Sequence, residues 1–310
     1  MAIPTDGRRL LIEKYDVHVV LSTKDLLQKW HRASALSAIL IGNAKFDLSE
    51  SDQRAIVAAF ETRRESQTLA TSLEKPTSSA KQAGGKETIS ATKEIASDEP
   101  SREGQGGPPD PLAGTQEELH PIGSILMKQK WQVESYTQEN ALEEAIKDVE
   151  GPRLLHIATH GFFERDDEPE HRETIQDKQL FLRDPMLRSG LYFAGADRAW
   201  SGLAPVSNLD GGVLTAYEAA GLNLQGTELV VLSACKTGLG DVQNGEGVFG
   251  LWRATQEAGA EAVLMSLWPV PDEETQELMT SFYRKRLAGE EKHEALHEAQ
   301  LEPRKRVKDY

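Results

Sequence analysis

The chain has 310 residues, a single cysteine and a formal net charge of −15, with a sequence isoelectric point near 5.1. This length can bury a substantial core in one large domain or two ordinary ones. The acidic balance argues against nucleic acid or an anionic membrane surface as a direct partner, because both repel negative charge. No apolar run approaches the roughly 20 residues that cross a bilayer, and the first residues lack the layout of a signal peptide. One cysteine excludes an internal disulfide, so we expect a reducing, cytoplasmic setting.

The first 64 residues carry strand and helix signals. Alternating apolar residues predict a strand around Tyr15–Leu21, and the spacing of apolar residues over Thr23–Arg32 predicts a helix. The nearly continuous apolar run Ala35–Ile41 predicts a buried strand that ends at a Gly-Asn pair. A further helix is predicted over 53–63.

The composition changes between residues 65 and 118. Ser, Thr, Lys, Glu, Gln, Gly and Pro dominate, with hardly an aromatic residue or a periodic apolar position. Such a segment cannot bury enough apolar surface to offset its ordering entropy, which predicts a disordered polar insertion. Its role is open between a regulatory tether, a cleavage substrate and a passive insert.

Ordered structure is predicted again from Ile122 onward. An exposed strand is predicted over Lys130–Tyr136 and a helix, capped by Thr137, over 137–149. Strands separated by helices, with nearly continuous apolar strands, predict an α/β fold whose mostly parallel sheet is covered by helices on both faces. The other predicted elements are buried strands over 153–161, 229–232 and 262–268, a short strand over 190–194, and helices over 214–220, 247–258, 273–287 and from 290 onward.

Two of the buried strands end in residues that nucleophilic catalysis uses. The strand 153–161 ends in His160 followed by Gly161, and the strand at 229–232 leads to Cys235. The carboxyl ends of parallel strands share one edge of a sheet. There the imidazole would take the proton of the thiol, and the N–H groups of Gly161 and Cys235 would hold an oxyanion. The alternative is a turn histidine and a core cysteine that never meet.

Three other sequence patterns bear on the chemistry of the protein. Asp272 follows a buried strand and would hold a basic substrate side chain, cap the next helix, or do both. His293, Glu294 and His297 form an H-E-x-x-H zinc motif, but the sequence offers no usual third ligand after them. The glycine-rich run 245–250 does not follow its strand directly, which argues against a dinucleotide site.

Several stretches together resemble the CHAT domain, a caspase-like cysteine protease module of the clan that includes caspases and separase. They run from about residue 8 to 50 and from 120 to 300, and include LLHIATHGFF, ELVVLSACKTGLG and AEAVLMSLWPVPDEET. The resemblance implies a caspase-like three-layer α/β sandwich, with residues 1–64 as the N-terminal part of the domain and 119–310 as its catalytic core. The chain stops where the closing aromatic strand of the family would begin, so we expect that strand to be missing.

The resemblance also implies roles for individual residues. His160 and Cys235 would form the catalytic dyad, and Asp272 would hold a basic residue before the scissile bond, as in separase. Asp241 and Glu246 would add acidic character to the same substrate site.

The expected function is that of a cytoplasmic cysteine endopeptidase that works without a metal or organic cofactor. Its substrate would be a partner protein cut after a basic residue, under control of a helical-repeat or effector partner, in prokaryotic defence or signalling. Two alternatives remain: a catalytically silent caspase-like scaffold for protein binding, and a zinc metalloprotease using the H-E-x-x-H motif.

Overall fold

The computed structural model describes residues 33–74, 113–163, 185–187, 189–201, 203–233, 246–266 and 272–308. Within them, eight strands and eight α-helices are distinguished. The strands are β1 (Ser37–Ala44), β2 (Gln132–Gln138), β3 (Leu154–Ala158), β4 (Gly161–Phe163), β5 (Ser189–Tyr192), β6 (Val213–Thr215), β7 (Leu229–Leu232) and β8 (Val263–Met265). The helices are α1 (Glu50–Glu74), α2 (Ala113–Lys128), α3 (Glu143–Lys147), α4 (Asp197–Trp200), α5 (Ala216–Ala219), α6 (Glu246–Glu257), α7 (Asp272–Leu287) and α8 (Lys292–Lys308).

Five parallel strands form the central sheet in the order β2-β1-β3-β7-β8. Every residue of β3 and β7 is buried, whereas every residue of β2, at the edge, is exposed or half-buried. The buried strands read as continuous apolar runs because both of their faces are covered. The parallel α/β sheet and the exposed strand near 130–136 that the sequence predicted are both confirmed.

Helices pack on both faces of this sheet. On one face, α2, α7 and α8 cover β1, β3 and β7 through an apolar cluster that includes Leu40, Ile122, Leu126 and Phe282. On the other face, Ile41, Leu155 and Val230 belong to a second cluster, which residues of α3, α5 and α6 complete. The result is the three-layer sandwich that the sequence predicts, consistent with a caspase-like fold. In the part of the chain described above, no helix is long and apolar enough to cross a membrane.

A small antiparallel sheet, β4-β5-β6, lies next to the end of β3. Only its middle strand was predicted, at 190–194. The helix predicted over 214–220 is wrong in its first part, because residues through Thr215 pair with β5. Thr215 then caps α5 in a capping box with Glu218, whose backbone N–H donates to the Thr215 hydroxyl.

The edges predicted for the polar insertion also differ from the structure. Helices α1 and α2 extend into the predicted 65–118 segment, over 65–74 and 113–118. For α2 the reason is tertiary: Thr115, Glu118 and Leu119 are buried against the sheet, which stabilises a turn that composition alone disfavours. The intervening residues 75–112 lie outside the described residues, as do the strand and helix predicted before residue 33.

The helix predicted over 137–149 is the clearest error among the elements. Thr137, expected to cap it, instead belongs to β2 and pairs with Gly42 of β1. The helical part is reduced to α3, which begins after Leu142 without a side-chain cap. Pairing along β1 therefore overrides a sequence pattern that is locally typical of a helix start.

Candidate active site

His160 lies just beyond the carboxyl end of β3 and is held by its neighbours. Its side chain is only 4% exposed, and its ring centroid lies 5.7 Å from that of Phe46. The hydroxyl of Thr159 donates to the carbonyl of Tyr192 at 2.5 Å, and the Tyr192 N–H donates to the carbonyl of His160 at 2.9 Å. The small sheet therefore fixes the backbone on which the imidazole is mounted.

Gly161 begins β4 and pairs with Leu191 of β5. Antiparallel pairs alternate between hydrogen-bonded and non-hydrogen-bonded residues. Since His160 and Tyr192 share a hydrogen bond, Gly161 occupies the non-bonded position, and its N–H points away from β5. An N–H directed in this way is the kind of donor that an oxyanion requires.

The strand β7 lies directly beside β3 and runs parallel to it. Leu154 pairs with Leu229 and Ile157 with Leu232, and the ladder continues when the Ser233 N–H donates to the Ile157 carbonyl at 2.8 Å. Both strands therefore end at the same edge of the sheet. Cys235 itself lies outside the described residues.

The whole chain matches one family. The profile of the CHAT domain matches residues 1–309. The chain belongs to the CHAT family. This family falls within the caspase-like peptidases, in agreement with the parallel sheet between two layers of helices. A comparison with curated protein sequences found no match.

The acidic residues predicted for substrate binding in this CHAT domain are only partly described. Asp272 and Glu246 are the first residues of α7 and α6, and their side chains lie outside the described residues. Asp241 lies outside them entirely. Of the predicted site residues, the structure thus gives full positions for His160 and Gly161.

The zinc motif does not form a metal site in the described part of this CHAT domain. His293, Glu294 and His297 lie on α8, where the first two are exposed. Among the described residues, no group of three His, Cys, Asp or Glu side chains could hold a metal ion. The H-E-x-x-H sequence therefore lies on a helix, and the described residues bring no third ligand to it.

A cleft lies at the carboxyl ends of β1 and β2, on the edge of the sheet where β3 and β7 also end. It has a volume of about 890 Å³ and is lined mainly by amide side chains and one imidazole: Asn43, Gln116, Gln138, Gln276 and His120. Amides both donate and accept hydrogen bonds, as a peptide backbone does. Sequence reasoning missed this cleft because its wall is α2, which the polar composition did not predict.

Sequence reasoning also missed a buried polar cluster on the α2 side of the sheet. It joins Glu118, His156, Ser233 and Tyr283, which lie far apart in the sequence. His156 is fully buried. Its spacing from His160 could have placed both on one strand, but nothing in the sequence pairs it with Glu118.

The opposite, amino end of β7 carries a charge cluster. Glu228 is hydrogen-bonded by Arg286 and by Arg153, at 2.8 Å in the latter case. Burial by itself would raise the pKa of the Glu228 carboxyl, but the hydrogen bonds from the two arginines outweigh it and lower that pKa to about 2. The Glu228 N–H also donates to the Arg153 carbonyl at 2.9 Å, so this cluster joins the two residues that directly precede β3 and β7.

Proposed function

We propose that this CHAT domain is a cysteine endopeptidase that cleaves a partner protein, with Cys235 as nucleophile and His160 as general base and acid. The observation that carries the proposal is the register between β3 and β7. Each paired residue of β7 has a number 75 higher than its partner on β3, as in Leu154 with Leu229. Cys235 stands in the same relation to His160. Neighbouring strands are about 4.8 Å apart, so residues that follow the paired ends of β3 and β7 at equal distances would bring the thiol and the imidazole within reach of each other.

The chemistry follows from this pairing. His160 takes the proton of the Cys235 thiol, and the thiolate sulfur attacks the scissile carbonyl carbon. The N–H groups of Gly161 and Cys235 hold the resulting oxyanion. His160 then gives its proton to the leaving amine as the C–N bond breaks. A water, deprotonated by His160, hydrolyses the thioester and restores the thiol.

The same sheet edge supports a preference for a basic residue before the cut. The strand β8 pairs with β7 in parallel, and the chain beyond its carboxyl end leads to Asp272 at the start of α7. A carboxylate there would pair with a lysine or arginine side chain of the substrate, and Asp241 and Glu246 would strengthen the negative potential. The family resemblance suggests a protein substrate, a helical-repeat or effector partner that controls cleavage, and a role in cytoplasmic prokaryotic defence or signalling.

The test compares the wild type with Cys235→Ala and His160→Ala on a peptide library rich in lysine and arginine. We expect the wild type to cut after basic residues and both variants to lose activity by at least about 10³-fold. A metal chelator should leave the rate unchanged, whereas iodoacetamide should abolish it. Cleavage after acidic or apolar residues would refute the Asp272 site but keep the dyad. Undiminished cutting by Cys235→Ala would overturn the proposal, and no cutting by any form would favour the binding-scaffold alternative.

A further inference from the structure

Four polar side chains form a buried network on the face of the sheet that α2 and α7 cover. Glu118, His156, Ser233 and Tyr283 are each at most 4% exposed. The Ser233 hydroxyl donates to Glu118 Oε2 at 2.9 Å, and the Tyr283 hydroxyl lies 2.9 Å from His156 Nδ1. Glu118 Oε1 lies 3.1 Å from His156 Nε2, out of line for a hydrogen bond but close enough for a strong charge–dipole contact. We refer to these four residues as the buried polar network.

Stability alone does not account for a carboxylate at this place. The network is surrounded by apolar side chains such as Leu40, Ile122 and Phe282, and removing a carboxylate from water costs several kcal/mol before its partners offset it. Apolar residues of similar volume would fill such a site at equal or lower free energy. The role of the network is therefore better understood from the parts of the chain that it connects.

The hydroxyl of Tyr283 and the imidazole of His156 share one hydrogen bond in this network. When Tyr283 is the donor, Nδ1 accepts and Nε2 is the protonated ring nitrogen, which lies beside the Glu118 carboxyl group without a hydrogen bond to it. Burial and the charge of Glu118 both raise the pKa of Tyr283 well above its ordinary value, so the phenol stays a donor. The carboxylate is thereby braced on one side by an imidazole that Tyr283 holds in place.

Glu118 contacts both of the strands that lead to the proposed dyad. His156 lies on β3, four residues before His160, and Ser233 follows β7, two residues before Cys235. Ser233 is held twice: its N–H donates to the Ile157 carbonyl of β3, and its hydroxyl donates to Glu118 of α2. The last described residue before the cysteine is thus fixed by main chain and side chain at once.

We propose that Glu118 and Ser233 are positioning residues. They fix the position and orientation of the chain at the end of β7, so that the Cys235 thiol would lie next to the His160 imidazole. This inference rests on the proposed function. A misplacement of about 1 Å between reacting groups can cost about 10²-fold in rate. Losing the Ser233 hydroxyl should accordingly reduce kcat far more than it changes KM, because the substrate contacts themselves remain.

The experiment uses the fact that Cys235 is the only cysteine of the chain. The rate of its alkylation by iodoacetamide is measured across pH 5–10, which reports the pKa of the thiol without any substrate. The variants are Ser233→Ala, Ser233→Thr, Glu118→Gln and His160→Ala. The matched control is Ser281→Ala, which removes another serine-to-glutamate hydrogen bond, 2.7 Å long, between α7 and α8.

We expect His160→Ala to move the alkylation midpoint up toward the ordinary cysteine value of about 8.5. In Ser233→Ala the alkylation midpoint should rise by at least half as much. Its kcat on the library-selected peptide should fall at least about tenfold, with KM within about threefold of the wild-type value. In Glu118→Gln the alkylation midpoint should also rise, but by less, because the amide oxygen still accepts the hydrogen bond from the Ser233 hydroxyl. Ser233→Thr, which keeps the hydroxyl, and Ser281→Ala should have the alkylation midpoint and the kcat of the wild type.

The outcomes separate the two proposals. Equal midpoints for wild type and His160→Ala would refute the dyad, and the positioning role would fail with it. A shift in His160→Ala, with Ser233→Ala behaving like Ser281→Ala, would overturn the positioning role alone. Thermal unfolding is followed for every variant. If Ser233→Ala does not fold, a wild-type midpoint and kcat in Glu118→Gln would overturn the positioning role instead.

Discussion

Replacing Glu228 by Gln tests how the amino ends of β3 and β7 are held in register. Glu228 is buried with a 6% exposed side chain, and Arg153 and Arg286 bind it. The lowering of its pKa from 4.5 to about 2 corresponds to roughly 3 kcal/mol of stabilisation at neutral pH. Since both arginines are partly solvated, with side chains 24% and 22% exposed, we expect Glu228→Gln to lower the free energy of unfolding by about 2 kcal/mol.

The pH dependence gives this prediction its sign. A carboxyl whose pKa is lowered by folding stabilises the protein above its unfolded pKa and loses that contribution as the pH falls toward the folded pKa. The difference in the free energy of unfolding between wild type and Glu228→Gln should thus be constant from pH 7 to 5.5. At pH 3.5 it should fall to roughly 60% of its value at pH 7. Urea unfolding at these three pH values measures it.

The matched control for this prediction is Glu257→Gln. Glu257 pairs with Arg253 on the surface, where the two side chains are 44% and 64% exposed, so its loss should cost less than about 0.5 kcal/mol. Equal losses in the two variants, or a Glu228→Gln difference that widens as the pH falls, would refute the reasoning.

Three further substitutions test the packing that supports the site, each measured as a change in the free energy of unfolding by urea. Gly42→Ala places a Cβ in steric clash with the Ala158 carbonyl oxygen, so β1 and β3 must move apart; we expect a loss of about 1–3 kcal/mol. Thr215→Ala removes the capping box of α5 and should cost about 1 kcal/mol. Phe282→Ala empties a fully buried site between α7 and the sheet and should cost about 3–5 kcal/mol. Tyr217→Ala, at a position 61% exposed, is the control and should stay within about 0.5 kcal/mol.

The central strands and the location of the candidate site could be predicted from the sequence. In β3 and β7, buried on both faces, apolar residues run up to the turn with His156 as the one polar residue between them, so composition marks where each strand ends. In the sequence His160 follows one of these ends and Cys235 the other, and the rule that parallel strands share their carboxyl edge predicts that both lie at one edge of the sheet. The CHAT family was recognisable from the same motifs.

The tertiary structure alone decided which distant segments support that edge. Helix α2 contains Pro121 and a polar first turn, so local propensity does not predict it, yet burial of Leu119, Ile122 and Leu126 holds it on the sheet. The contact of Glu118 with Ser233, 115 positions apart, follows from this docking. Hydrophobic periodicity and secondary-structure propensity describe residues that are close together in the sequence. Contacts between distant segments depend instead on strand register and helix packing, which no local sequence pattern encodes.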